Sequence, residues 1–309
     1  MADKNSTAGM MRDKVVVVTG GGRGVGRGVA LQMAEEGARV VVNDLGVTLD
    51  GMGADQGPAR EVAAEIQAAG GEAAYNTDDI SVHQGAENLI RTAIDSFGRL
   101  DAVVNNAGIL RDSIFHKMSE EDWDAVIRVN LKGCFNVARA AATRFREQES
   151  GAFVHMTSVS GVIGNFGQAN YAAAKMGVAG LSRSIAIDMA RYNVRSNCIS
   201  PSGFTRMIDA IPITSEEQAR EFQKRREVMK PEMNAPLVVF LASDAARDIT
   251  GQIFATQGNK YFLFSQPRPV VTELRAGWTP ASVAEELGTA INDHLTPLET
   301  LQTVLGKPQ

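Results

Sequence analysis

Cysteine is scarce: Cys134 and Cys198 are the only two in 309 residues. They stand far apart in apolar surroundings, which argues against a disulfide framework or a metal site and suits buried thiols in a reducing compartment. A basic excess is missing as well. The 31 Lys and Arg residues are outnumbered by 36 Asp and Glu, for a net charge of -5, so the chain lacks the cationic footprint that a nucleic-acid backbone demands. No apolar run reaches the roughly 18 residues needed to span a bilayer, and the opening MADKNSTAGMMRDK has no signal-peptide core. Residues 306–309 form no peroxisomal or endoplasmic-reticulum address. These absences predict a cytoplasmic protein whose partner is a small soluble molecule.

What is present is a core-forming composition, 44% apolar and 22% charged, within the usual globular range. From Val15 onward, short β-branched runs alternate with Ala-rich amphipathic stretches. Val15 to Val18, Arg39 to Asn43, Ala102 to Asn105, Gly151 to Met156 and Arg195 to Ile199 read as buried strands. Gly24 to Glu36, Pro58 to Ala69, Gln84 to Phe97, Glu120 to Glu147 and Tyr171 to Arg191 read as helices. Such alternation predicts an α/β fold, a parallel sheet with helices on both faces. The expected layout is a flexible N-terminus (1–13), one domain (14–266) and a C-terminal extension (267–309). Three stretches break the rhythm. Gly46 to Gly57 is a long Gly- and Asp-rich loop, and Ser202 to Met229 is a long segment whose charged run Lys224 to Glu227 reads as a solvated helix face. The tail past Pro267 adds a β-like run, Val270 to Leu274, and a helix, Pro280 to Ala290.

The chemistry concentrates in a few motifs. TGGGRGVG follows the first strand and opens the first helix, with Gly20, Arg23, Gly24, Val25 and Gly26 at the turn. Glycines there let the chain turn tightly, so that a pyrophosphate can approach backbone N–H groups at the positive end of a helix dipole. Asp44 closes the second strand, about 20 residues past the loop, where a carboxylate accepts from ribose hydroxyls and repels a 2′-phosphate. Leu45 follows it rather than a basic residue, so the expected cofactor is NAD rather than NADP. Arg23, which could reach a phosphate, is the counter-signal, and the alternative reading of Asp44 is a carboxylate that merely caps its own loop.

Tyr171 and Lys175, four apart near the start of a helix, share one face. A neighbouring ammonium can bring a phenol from its usual value near 10 toward a useful proton-transfer range. A spacing of four alone is commonplace. It gains meaning from Ser158, just past the strand Gly151 to Met156, where a hydroxyl could hold a substrate oxygen. Asn130 could carry a proton relay through water, although a mid-helix asparagine more often bonds locally.

These residues together resemble the short-chain dehydrogenase/reductase family over most of the chain, from Lys14 to Gly258. TGGGRGVG is similar to its glycine loop, Asn105-Asn106-Ala107-Gly108 to its NNAG signature, and Asp79-Ile80 to its adenine-contacting pair. Ser158, Tyr171 and Lys175 match its catalytic serine and YxxxK, and Asn130 its catalytic asparagine. The resemblance implies a Rossmann-like doubly wound sheet, coenzyme contacts that include Asn106, Ala107, Gly108, Tyr171, Lys175, Pro201 and Gly203, no metal, and a homodimer or homotetramer. It also implies hydride exchange between NAD and a secondary alcohol or ketone. VVNDLG, NNAGILRDSIF and GNFGQANYAAAK resemble more narrowly the (3R)-hydroxyacyl-CoA dehydrogenase units of multifunctional β-oxidation enzymes. That implies an acyl-CoA or sterol-like substrate. The alternatives are a 3-oxoacyl-carrier reductase, a hydroxysteroid dehydrogenase and a non-catalytic nucleotide-binding protein. One departure is Pro201-Ser202-Gly203, where most members have Pro-Gly.

Overall fold

The computed structural model describes residues 9–46, 57–203, 220, 223 and 229–306. Its centre is one eight-stranded sheet in the order β3-β2-β1-β4-β5-β6-β7-β8. The strands are β1 (Val15–Thr19), β2 (Arg39–Asn43), β3 (Glu72–Asn76), β4 (Ala102–Asn105), β5 (Gly151–Met156), β6 (Val194–Ser200), β7 (Ile253–Gln257) and β8 (Lys260–Leu263). All pair in parallel except β8, which runs antiparallel to β7 at the edge. The valine runs of β1 and β2 are buried because helices cover both faces of the sheet. Each fully buried valine is worth about 1.5–3 kcal/mol.

Alternation along the strands divides the core. Val16, Val18, Val40, Val42, Val154 and Met156 face the first helix layer: α1 (Gly24–Glu35), α2 (Gly57–Ala68) and α8 (Ala235–Ala242). Val15, Val17, Val41, Val103 and Phe153 face the opposite layer, α3 (His83–Phe97) and α5 (Gly133–Gln148). Beside them, Val178 and Ala179 of α7 (Ala169–Asp188) pack on Cys198 and Cys134. Both cysteines are free and buried.

The strand order reverses between β1 and β4, so their carboxyl ends open a crevice of the kind that binds ligands in open α/β sheets. Beyond β4 the chain passes through α4 (Glu120–Val126) and then a wider π-type turn over Ile127–Lys132 before α5. The helix expected as regular from Glu120 to Glu147 therefore carries a π-bulge, a feature frequent at functional sites, and Asn130 lies within it.

The five expected strands are present. Three others, β3, β7 and β8, complete the sheet. The β-like run Val270 to Leu274 is not a strand: it has no pairing partner, and Val270 and Leu274 are 75% and 97% exposed. The helix expected over Pro280 to Ala290 forms, continuous from Pro280 to Ile291. The run Lys224 to Glu227, and most of the loops Gly46 to Gly57 and Ser202 to Met229, lie outside the described residues. Among the described residues no helix is long and apolar enough to cross a membrane.

Candidate active site

The glycine loop is shaped by contacts that no larger residue could make. Gly20 has φ +61, a left-handed conformation that glycine adopts without strain. A Cβ on Gly26 would stand 2.1 Å from the Gly20 carbonyl oxygen, so α1 begins in direct contact with the loop below it. The first turn of α1 holds no acidic residue, and its N-cap, Arg23, makes no side-chain cap bond. Helical N–H groups at this end are a ready anion site. This cradle fits a pyrophosphate.

Asp44 does two things at once. Its Oδ2 accepts from the Gly22 N–H at 2.9 Å and its Oδ1 from the Gly46 N–H at 2.8 Å. The loop-capping alternative is thus realised, and the carboxylate clamps the glycine loop to the end of β2. Each oxygen keeps a further lone pair with which to accept from a ribose hydroxyl. Asp79 is similarly occupied, its Oδ1 accepting from the Ser81 N–H at 2.8 Å. Ile80 is buried, and its carbonyl accepts from Asn136 at 2.9 Å.

The NNAG segment is tied to the same loop. Asn106 Nδ2 donates to the carbonyls of Thr19 and Gly20, both at 3.0 Å, while Thr19 Oγ1 accepts from the Asn106 and Ala107 N–H groups. A Cβ on Gly108 would lie 3.0 Å from Asn130 Oδ1 and 3.6 Å from Lys175 Nζ. The coenzyme-side and proton-transfer residues therefore meet at Gly108.

Ser158 follows β5 and caps the short helix α6 (Val159–Val162), its Oγ accepting from the Ser160 N–H at 3.1 Å. Its hydroxyl stands on the Tyr171 side, near enough to ease ionisation of the phenol. Burial pushes that phenol up to about 12, Ser158 works the other way, and the Asp112 carboxylate adds to the rise. Lys175 sits beneath, only 4% exposed, with its ammonium 5.5 Å from the Tyr171 ring centroid and donating to the Met156 carbonyl at 2.8 Å. Burial lowers Lys175 to about 8. In this geometry the Lys175 ammonium is turned to Met156, and Ser158 eases the phenolate.

Asn130 is buried, with both ends of its side-chain amide bonded. Oδ1 accepts from the Ile109 N–H at 2.8 Å and Nδ2 donates to the Ile109 carbonyl at 3.0 Å. It bonds not within its own helix but across to the strand-end segment that carries Gly108.

Past β6, Gly203 is buried, with Pro231 so close that a Cβ would come within 3.0 Å of its Cα. Ser202, the departure between Pro201 and Gly203, donates its N–H to Asn234 Oδ1 at 3.0 Å and to Thr256 Oγ1 at 2.9 Å. Asn234 returns a bond to the Ser202 carbonyl and another to Pro231. Asn234, buried and 32 residues away, is a supporting residue the sequence reading missed.

A second missed group lies under Lys175. His155 is fully buried, stacked on Phe153, with Asn105 Nδ2 at 3.1 Å and Cys134 Sγ at 3.2 Å from its Nδ1. Burial first, then the Lys175 charge, lower it to about 3, so the ring is neutral. Among the described residues no cluster of His, Cys, Asp or Glu is placed to hold a metal ion.

Comparison with known proteins gives the family. The short chain dehydrogenase family model matches residues 14–212. A short-chain type dehydrogenase/reductase of Mycobacterium tuberculosis is 45% identical over 278 residues, 87% of this chain and 93% of that protein. Mouse peroxisomal multifunctional enzyme type 2 is 44% identical over 238 residues, 77% of this chain but 31% of the enzyme, so the chain spans only about a third of it. The 3-oxoacyl-[acyl-carrier-protein] reductase of Staphylococcus aureus is 39% identical over 82% of this chain and its whole length. A crystal structure of a short chain dehydrogenase from Mycobacterium avium superposes with a TM-score of 0.80 at 40% identity, covering 94% of this chain and 98% of that one. The chain belongs to the short-chain dehydrogenase/reductase family and is an oxidoreductase of that family.

Proposed function

We propose that this enzyme uses NAD to oxidise (3R)-3-hydroxyacyl-CoA to 3-oxoacyl-CoA in fatty-acid or sterol side-chain degradation. The observation that carries the reading is the convergence of Ser158, Tyr171 and Lys175 at the mouth of a glycine cradle that Asp44 closes. The similarity to multifunctional enzyme type 2 supports the substrate class. Gly20, Arg23, Gly24, Val25 and Gly26 would hold the pyrophosphate, Asp44 the adenosine ribose, and Asp79 and Ile80 the adenine. Asn106, Ala107, Gly108, Pro201 and Gly203 would line the nicotinamide side. When bound, the coenzyme supplies the hydride acceptor.

Ser158 orients the substrate hydroxyl. Tyr171, as phenolate, takes its proton. Lys175 stabilises that phenolate and holds the nicotinamide ribose when its ammonium leaves Met156. Asn130 fixes Ile109, and with it the Gly108 backbone beside Lys175, and would maintain the water chain that returns the proton from Lys175 to solvent. Residues 14–266 carry this site. Residues 267–309 close the pocket or contact a second subunit, in a cytoplasmic homodimer or homotetramer.

The full-length similarity to a 3-oxoacyl-carrier reductase favours a second reading, reduction of a 3-oxoacyl carrier. Asp44 separates the two readings, since NADP carries a phosphate where that carboxylate lies. A panel of (3R)-3-hydroxyacyl-CoA, 3-oxoacyl carrier and hydroxysteroid, each with both coenzymes, tests the proposal. Preferred turnover of the CoA thioester with NAD is expected; preferred reduction of the carrier with NADPH overturns it.

A further inference from the structure

Asp112 lies seven residues past Asn105, the last residue of β4, and outside the machinery just described. Gln168, immediately before α7 and three residues ahead of Tyr171, donates from Nε2 to Asp112 Oδ2 at 2.9 Å. The other end of the same amide, Oε1, accepts from Ser160 Oγ at 2.8 Å and from Asn165 Nδ2 at 2.9 Å. Three bonds therefore fix the amide orientation, with the carboxylate on the nitrogen side. Ser160 in turn gives its N–H to Ser158 Oγ. A row of hydrogen bonds runs from Asp112 through the Gln168 amide to the Ser160 hydroxyl, and the Ser160 main-chain N–H ends it on the Ser158 hydroxyl. The loops holding it are stapled by the Ser113 N–H on the Gly167 carbonyl at 2.9 Å and by Asn170 on the Arg111 carbonyl at 2.9 Å.

Among the described residues no cation is ion-paired with Asp112; the adjacent Arg111 reaches Glu121 and Asp122 instead, at 3.4 Å. Lys175 is turned to Met156, and His155 is neutral. Partial burial raises the Asp112 carboxyl, and the Gln168 bond offsets the rise. The Gln168 N–H aimed at Oδ2 favours the ionised form, in which both oxygens accept. Its field reaches the reacting end, where it adds to the rise of Tyr171.

We infer that Asp112 is a specificity-determining residue: its fixed negative charge disfavours substrates ionised beside the reacting carbon and admits those with a neutral carbonyl there, such as a thioester. A 3-hydroxy acid and its thioester differ at that position. The free acid brings a second carboxylate next to Ser158, whereas the CoA phosphates lie at the far end of a long arm. The inference rests on Ser158 and Tyr171 marking the reacting end.

Ethyl acetoacetate and acetoacetate, which share the 3-oxobutanoyl unit and differ in the charge beside it and in an ethyl group, are the probes, and the change in their ratio between wild type and Asp112→Asn isolates the charge. They are assayed as substrates with NADH and NADPH and as competitors of (3R)-3-hydroxybutyryl-CoA oxidation. Wild type is expected to favour the ester at least about tenfold, the scale of like charges meeting in a partly buried site. Asp112→Asn keeps the acceptor for Gln168 and removes only the charge. It should lower the ester-to-acid ratio in kcat/KM, or in inhibition constant, about tenfold. Asp112→Ala should lower the ratio likewise and also lower kcat, because Gln168 and Ser160 lose their anchor. An unchanged ratio in Asp112→Asn, or a wild type indifferent to the charge, overturns the inference. Failure to oxidise the thioester while the ratio still shifts overturns the acyl-CoA reading alone.

Discussion

The Lys175 ammonium donates to the Met156 carbonyl at 2.8 Å, on the strand end that leads two residues later to Ser158. Buried and lowered to about 8, this lysine changes charge just above neutral pH. The free enzyme's kcat/KM is predicted to show a limb near pH 8 as the cation is lost with rising pH. Lys175→Arg keeps a cation that stays charged beyond the measurable range, so in whatever activity remains, that limb should be gone. An unchanged limb in the arginine variant contradicts the assignment.

Asp44 holds both Gly22 and Gly46. Asp44→Ala should therefore weaken either coenzyme by loosening the loop, and weaken NAD more, because only NAD gains from the carboxylate. The predicted outcome is about a tenfold fall in the NAD/NADP ratio of kcat/KM, measured by steady-state kinetics. A uniform loss with the ratio preserved would leave Asp44 a loop clamp and nothing more.

Asn130→Ala leaves the Ile109 N–H and carbonyl without their partner in a buried setting. At about 1–3 kcal/mol for each of the two unsatisfied groups, urea unfolding should lose roughly 2–6 kcal/mol. A loss below about 0.5 kcal/mol would mean that the two bonds do not hold the segment carrying Gly108.

His155 is neutral when folded down to about pH 3, whereas an unfolded histidine protonates near 6.5. A depressed folded value contributes stability that is present above the unfolded value and lost as pH falls through the folded one. Between about pH 6 and 4, wild type should lose up to about 1.4 kcal/mol per pH unit more than His155→Gln, whatever the variant's stability at pH 7. Parallel stability curves for the two proteins would contradict a buried neutral ring.

The legible parts of this fold were those written locally. Valine runs announced β1 and β2, and the glycine loop and Tyr171/Lys175 spacing stood out because each is a short pattern on one element. The strand β3, EAAYN, escaped because it is alanine-rich and partly exposed rather than β-branched. Val270 to Leu274 misled in the opposite sense: β-forming residues without a neighbouring strand remain unpaired. The residues that support the site were illegible for a topological reason. Asp112 meets Gln168 across 56 residues, Asn105 meets His155 across 50, and Asn234 meets Ser202 across 32; only the strand order brings them together. Asn130 shows the same limit, since a local bond was the ordinary expectation and its partner lies 21 residues away.

The central claim is that Tyr171 transfers the proton while Asp44 and the glycine loop bind the coenzyme independently of it. The most direct measurement is Tyr171→Phe, assayed for turnover of (3R)-3-hydroxybutyryl-CoA and, by titration, for NAD binding. The account predicts a loss of kcat of at least about a thousandfold, within the range of general acid–base effects, with the Kd for NAD changed less than about threefold. A variant that retains wild-type turnover contradicts it.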